Sequence, residues 1–360
     1  MHRLRTLAVV LLFVACGSRA PQDVATTGQA SNSAPVGSAA TSSQPPAVAY
    51  VVSADVRTDN VPVYLRLPGA GVDVHVTDAM VASGIAPNVL LVTRRDGHVL
   101  AYRLGDTASL IDDRLARDGR ADGVIVGSTL YEYSGDWATS IDSAGTARSV
   151  TLPAALPTTV GPCELTKAIY DFKASSLNAI ASVQGHPYAY VATLGNGAVI
   201  DLDGGRRLDL PDAGRALAMA TGSDGKLYAL TIDGRCATNH LVVRRFDVAS
   251  LRQEAAIDTG RTLPVSSASL VAAGDATYVH LVTEAQAELL RVSVGNVASI
   301  AVPPDSGFVA TGAPDGTIYL YGARARNIIS RFDPRSGTTA ALDGLSGPRG
   351  SFIAAVFFGP

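Results

Sequence analysis

From residue 48 onward, apolar and polar positions alternate in short runs separated by Gly, Asp and Pro, and one unit of that pattern recurs. Its clearest copies are LAMATGSDGKLYALTIDG (217–234) with VVRRFDVAS (242–250), and GFVATGAPDGTIYLYG (307–322) with ISRFDPRS (329–336). Each reads as a small apolar strand, a turn ending in Asp-Gly, a Tyr-bearing alternating strand, and a third strand ending Arg-Phe-Asp. Asp224 and Asp315 bracket a weaker copy, LVAAGDATYVHLV (270–282), which sets a period of about 45 residues.

The same second strand is read upstream in HPYAYVAT (186–193), STLYEYS (128–134), DGHVLAYRL (96–104) and VPVYLRL (61–67). Aligned on Tyr64, Leu100, Tyr131, Tyr188, Tyr228, Tyr278 and Tyr319, the copies lie about 42 residues apart on average. A repeat of that length holding four short strands is a β-propeller blade rather than a turn of a helical solenoid. The expected fold is therefore all-β, a propeller of about seven four-stranded blades over residues 48–360, with uneven spacing that also suits six or eight. Apart from a turn or two around Glu164–Phe172, no helical periodicity interrupts it. The terminal run SFIAAVFFG (351–359) is a lone apolar strand, while AYVVSADV and VPVYLRL near the start lack a first strand before them. Pairing the last strand into the first blade would remove two open edges.

Ahead of the repeats the pattern changes twice. Residues 1–5 carry two Arg, Leu7 to Ala15 is an unbroken apolar run, and Cys-Gly-Ser follows. That is a secretory signal, too short to span a bilayer as a mature helix. The segment Phe13-Val14-Ala15-Cys16 resembles a bacterial lipobox, with Phe13 where that family usually has Leu or another aliphatic residue. The resemblance implies removal of residues 1–15 and acylation of the Cys16 thiol. Gly17, where the family's inner-membrane members carry Asp, favours the outer membrane, facing the periplasm or the cell surface. From Gly17 to about Ala47 the chain holds one acid, one base and no aromatic residue. It cannot bury enough apolar surface to offset its ordering entropy, and reads as a flexible tether with a root-mean-square reach of roughly 30 Å.

Composition narrows the function classes. Hydrophobic residues form 47% of the chain and charged residues 17%, so a large core is available. The formal charge of −3, without any Lys/Arg block, gives no electrostatic basis for nucleic-acid binding. The repeats resemble the broad group of bacterial propellers with PQQ-like or YVTN-like units, a likeness of fold that implies no particular activity. Quinoprotein dehydrogenases of that group carry a docking Trp in nearly every blade, and here Trp137 is the sole Trp. Recurrent Trp-Asp, the mark of WD repeats, is absent.

Candidate chemistry is sparse. His75, His98, His186, His240 and His280 are scattered without metal-ligand spacing and read as turn or half-exposed strand residues. No nucleophile elbow, phosphate loop or dinucleotide fingerprint occurs. The strands read as lining the axis are 88–93, 123–127, 177–183, 216–221, 269–274, 307–312 and 352–357; they hold no Asp, Glu or His. A Ca²⁺ site for lactonase-type hydrolysis needs several oxygen ligands, carboxylates among them, and Asn178 offers only a carboxamide oxygen. No catalytic residue, cofactor or metal is expected from this pattern. Asp122, Asp212 and Asp305 lie just before first strands, each within two residues of a Gly, so the fold would set them around one mouth of the ring, as a polar-ligand site or as turn caps. Cys163 falls in the long crossover 153–175 and Cys236 between the second and third strands of the following blade. Both connections leave the same end of neighbouring blades, which makes a disulfide plausible on the exported side. The expectation is a lipid-anchored binding or scaffold module that takes a protein or small polar ligand on its loop face. The alternatives are a propeller enzyme (a lactonase-like hydrolase or an oxidoreductase subunit) and a structural surface lipoprotein without a discrete ligand.

Overall fold

Six sheets of the structure each take four antiparallel strands in strict chain order, and a seventh joins the first and last described strands. The computed structural model describes residues 49–55, 63–66, 74, 76, 79–85, 89–94, 96–105, 107–115, 122–133, 138–142, 144–152, 179–193, 196–211, 213–214, 216–233, 240–262, 265–283, 286–303, 307, 309–313, 315–321, 329–341 and 351–358. Sheet 2 holds β3 (Ala79–Ile85), β4 (Val89–Arg94), β5 (His98–Leu104) and β6 (Ala108–Leu115). Sheet 3 holds β7 (Asp122–Val126), β8 (Thr129–Tyr133), β9 (Ala138–Ile141) and β10 (Ala147–Val150). Sheet 4 holds β11 (Ala179–Val183), β12 (His186–Thr193), β13 (Asn196–Asp201) and β14 (Arg207–Pro211). Sheet 5 holds β15 (Ala216–Thr221), β16 (Leu227–Asp233), β17 (His240–Asp247) and β18 (Arg252–Thr262). Sheet 6 holds β19 (Ser267–Ala273), β20 (Ala276–Val282), β21 (Ala287–Ser293) and β22 (Asn296–Ala301). Sheet 7 holds β23 (Val309–Gly312), β24 (Ile318–Tyr321), β25 (Ser330–Asp333) and β26 (Thr338–Ala341).

Sheet 1 has three strands, in the order β2 (Val63–Arg66), β1 (Ala49–Asp55), β27 (Ser351–Phe358). β27 runs antiparallel to β1, from Asp55 opposite Ser351 to Ala49 opposite Phe358, with an irregularity between Val52 and Ser53. The partnership expected for the last strand is thus the pairing observed. First strands neighbour one another in the order β27, β3, β7, β11, β15, β19, β23, and β27 also lies against β24.

Two early repeats are assigned differently from the sequence reading. Of the run 88–93, residues 89–93 fall on the second strand β4 of their sheet, and the first strand is β3. Leu100 and Tyr64 accordingly sit on third-position strands, β5 and β2. The cause is the Asp-Gly turn. At Asp224-Gly225 and Asp315-Gly316 it joins first and second strands, whereas Asp96-Gly97 joins second and third. All three turns share one geometry: Gly at positive φ, and an Asp Oδ1 that accepts the N–H two residues on (His98, Lys226, Thr317). Such a turn fixes a hairpin but not its place in the sheet.

The core lies in the seams between successive sheets. Leu227, Ala229 and Phe246 pack back against Tyr188, Tyr190 and Val199 of sheet 4, while Tyr228, Leu230 and Ile232 pack forward against Leu270, Val279 and Leu281 of sheet 6. Both phases of the alternation on a second strand are therefore buried, and β20 is buried throughout. At about 25 cal/mol per Å² of apolar surface removed from water, these seams are the main favourable term in the fold.

Candidate binding faces

Topology gives the ring two unlike ends. One carries the hairpin turns between first and second strands, two residues long at Gly127-Ser128, Gln184-Gly185 and Gly274-Asp275, together with the turns between third and fourth strands. The other carries the second-to-third loops and the crossovers, among them 151–178 between β10 and β11.

The tight-turn end is densely cross-linked. In sheet 5, Tyr228 donates to Asp224 Oδ2 at 3.0 Å, and Arg245, its cross-strand partner, reaches the same oxygen at 2.9 Å and Glu254 at 2.6 Å. Lys226 Nζ bridges Asp247 and Glu254 at 3.1 and 3.3 Å. Burial and then the Asp224 bond push the Tyr228 hydroxyl up to about 12. Burial works against Asp224, but the Lys226 N–H and the Arg245 and Tyr228 donors hold its carboxyl below the usual range. The Tyr–Arg cross-strand pair recurs as Tyr278–Arg291 and Tyr319–Arg331. Seams are also latched here: Arg206 grips the buried Asp201 carboxylate and donates to the Val248 and Ala249 carbonyls of sheet 5. Arg335 approaches Asp275 at 3.6 Å across the seam between sheets 6 and 7. These charges are matched within the fold, as they are at the crossover end, where Arg261 of sheet 5 holds Glu288 of sheet 6 at 2.6 and 2.9 Å.

Deeper in the seams lie ionisable groups that composition alone did not flag. Arg244 bonds Thr231, Gln253 and Asp233 on the sheet 4 side of sheet 5. Glu132 on β8 is 1% exposed, and neither carboxyl oxygen has a hydrogen-bond partner among the described residues. Burial, then the Asp112 carboxylate, push it up to about 9, opposed by Arg114. His280 on β20 is fully buried, contrary to the expected half-exposed strand position; His98, His186 and His240 do lie part-exposed at strand starts.

Of the residues expected to matter for ligands, Asp122 is the first residue of β7, at the crossover end. Asp122 is thus counted within the first strand rather than just before it. Asp212 and Asp305 lie outside the described residues, as do Cys16, Cys163, Cys236 and Asn178, so the expected mouth cluster and disulfide have no described geometry. Among the described residues no group of three or more His, Cys, Asp or Glu is placed to hold a metal ion. On the rim, the outer strands β18 and β22 leave a groove of about 320 Å³ lined by Ala256, Ile257, Asp258, Gly295, Asn296 and Val297.

No protein-family model matches this chain, and no curated protein matches it in sequence. Solved structures do. A protein from Lactobacillus plantarum is similar with a TM-score of 0.54 at 12% identity, over 86% of this chain and 98% of that one. The WD40 domain of Neurospora crassa Pan2 is similar with a TM-score of 0.52 at 9% identity, over 77% of this chain and 81% of that one. The fold is a β-propeller. At such identities the likeness is one of fold alone, and the sheets are its blades.

Proposed function

We propose that this propeller is a lipid-anchored binding or scaffold module of the cell envelope, held clear of the outer membrane by the tether 17–47. It takes a protein or small polar ligand on its crossover end. The observation that carries this reading is the asymmetry of the ring. First-to-second turns at one end are as short as two residues, whereas the longest connection, 151–178, joins strands at the opposite end. Loops held by a rigid scaffold are where binding residues concentrate. Asp122 stands at that same end, at the start of a first strand.

Two experiments test the proposal separately. Acylation needs the Cys16 thiol, so Cys16→Ser should move the protein from the detergent phase to the aqueous phase; unchanged partitioning removes the anchor. For binding, the parent chain and a variant lacking residues 156–172 are used as baits on solubilised envelope. Partners held by the parent and lost by the variant support the crossover end as the binding face. Identical partners on both baits move binding elsewhere.

A further inference from the structure

One buried polar side chain in the seam between blades 6 and 7 has no hydrogen-bond partner among the described residues. His280 on β20 is fully buried, and neither ring nitrogen has a hydrogen-bond partner among the described residues. Strand alternation sets it on the blade 7 side with Tyr278 and Val282, and its cross-strand neighbours are Ser269 and Leu289. Blade 7 contributes Ala310, Ile318, Leu320 and Phe332 to the seam. The Ser269 hydroxyl accepts the Ala310 N–H at 3.4 Å. The charged groups described on this seam, Asp275, Arg291, Asp333 and Arg335, gather around Tyr278 at the tight-turn end. A neutral imidazole offers one N–H and one lone pair, and both go unmet; a Phe or Leu would fill the space without that cost. Burial alone pushes the ring down to about 4.

We infer that His280 makes the seam between blades 6 and 7 an acid-operated opening, in which protonation of the ring is coupled to separation of blade 7 from β20. Blade 7 suits that role because each of its four strands has only four residues, against six or seven in blade 6. An imidazolium cannot stay in a seam whose core is Leu289, Leu320 and Phe332 without a counter-charge or water, so the charged form selects the parted seam. Parting exposes the apolar faces of β20 and β24, giving an acid-dependent surface that neutral pH withdraws. Linkage sets the size: the opening constant rises about tenfold per pH unit from the ordinary histidine value near 6.5 downward. This device stands apart from the binding role proposed above.

Hydrogen exchange of the full chain, corrected for the pH dependence of the exchange chemistry, tests it on peptides covering 267–282 and 309–321, with 179–211 of blade 4 as reference. Between pH 7.5 and 4.5 the first two should lose about a hundredfold in protection while the reference holds. His280→Phe should abolish the difference, and His280→Gln, polar but unable to take the charge, should do so with less demand on packing. Unchanged protection at pH 4.5, equal loss in all three peptides, or a variant that opens like the parent each overturns the inference.

Discussion

Tyr190 lies over Gly197, its diagonal neighbour on the adjoining strand, and from there donates to the Gly214 carbonyl of the next blade at 2.9 Å. A Cβ at position 197 would fall inside the Tyr190 phenol. The glycine thus makes room for an aromatic ring that fills the seam between blades 4 and 5 and satisfies a loop carbonyl. Gly197→Ala should displace the ring and cost roughly 1–3 kcal/mol. Tyr190→Phe should cost about 1 kcal/mol for the lost bond. In the double variant the costs should fall short of their sum, because the hydroxyl that the added methyl strikes is gone. Denaturant unfolding of the four proteins measures this, and strict additivity would sink the argument.

Such pairs show what the sequence could and could not reveal. Alternation and Asp-Gly turns were enough to expose the repeat, the strand order within blades 3 to 7 and the partner of the last strand. They failed at the first two blades because an Asp-Gly hairpin forms equally well one strand later, as Asp96-Gly97 does. They failed for His280 and Glu132 for a different reason. Alternating polar positions usually mark a solvent face, but a propeller's second strand is sandwiched between two seams, so ATYVHLV hides its histidine as completely as its valines. Only the packing of the neighbouring blades reveals that.

Glu132 gives the fold a pH dependence of opposite sign to that of His280. Its folded pKa lies near 9, above the ordinary 4.5, so the folded state holds a proton that the unfolded state has released. Its contribution is fully present below about pH 4.5 and is lost as pH rises toward 9. Glu132→Gln should therefore flatten the fall in thermal stability between pH 6 and 9 while leaving the acid limb in place. A variant whose alkaline slope matches the parent's would show that the carboxyl is not held neutral in the seam between blades 2 and 3.

The last strand should be indispensable. β27 is hydrogen-bonded to β1 along its length and lies against β3 and β24, so it serves the first sheet and both its neighbours. Removing residues 351–360 leaves the edge of β1 unpaired and uncovers the first strand of blade 2. Exposed edges template aggregation, so the truncated chain should be recovered as aggregate or be cut rapidly by protease at the N-terminal strands. A soluble truncation with the parent's melting temperature would mean that blades 2 to 7 stand without it.

Cys163 and Cys236 provide a test of loop placement. Cys163 belongs to the connection between β10 and β11, and Cys236 to the loop between β16 and β17; these connections leave the crossover end of adjacent blades 4 and 5. In an oxidising compartment they should pair. Closing so long a loop should add roughly 3–4 kcal/mol in the chain-entropy model, less any strain. The bridge would also pin the 151–178 connection over blade 5, so its loss should loosen the proposed binding face along with the fold. Peptide mapping without reduction should find a Cys163–Cys236 cross-link in protein isolated from the envelope, and Cys163→Ala should lower both the melting temperature and partner retention. Two free thiols in that protein would place the loops apart and remove the pinned face from the account of binding.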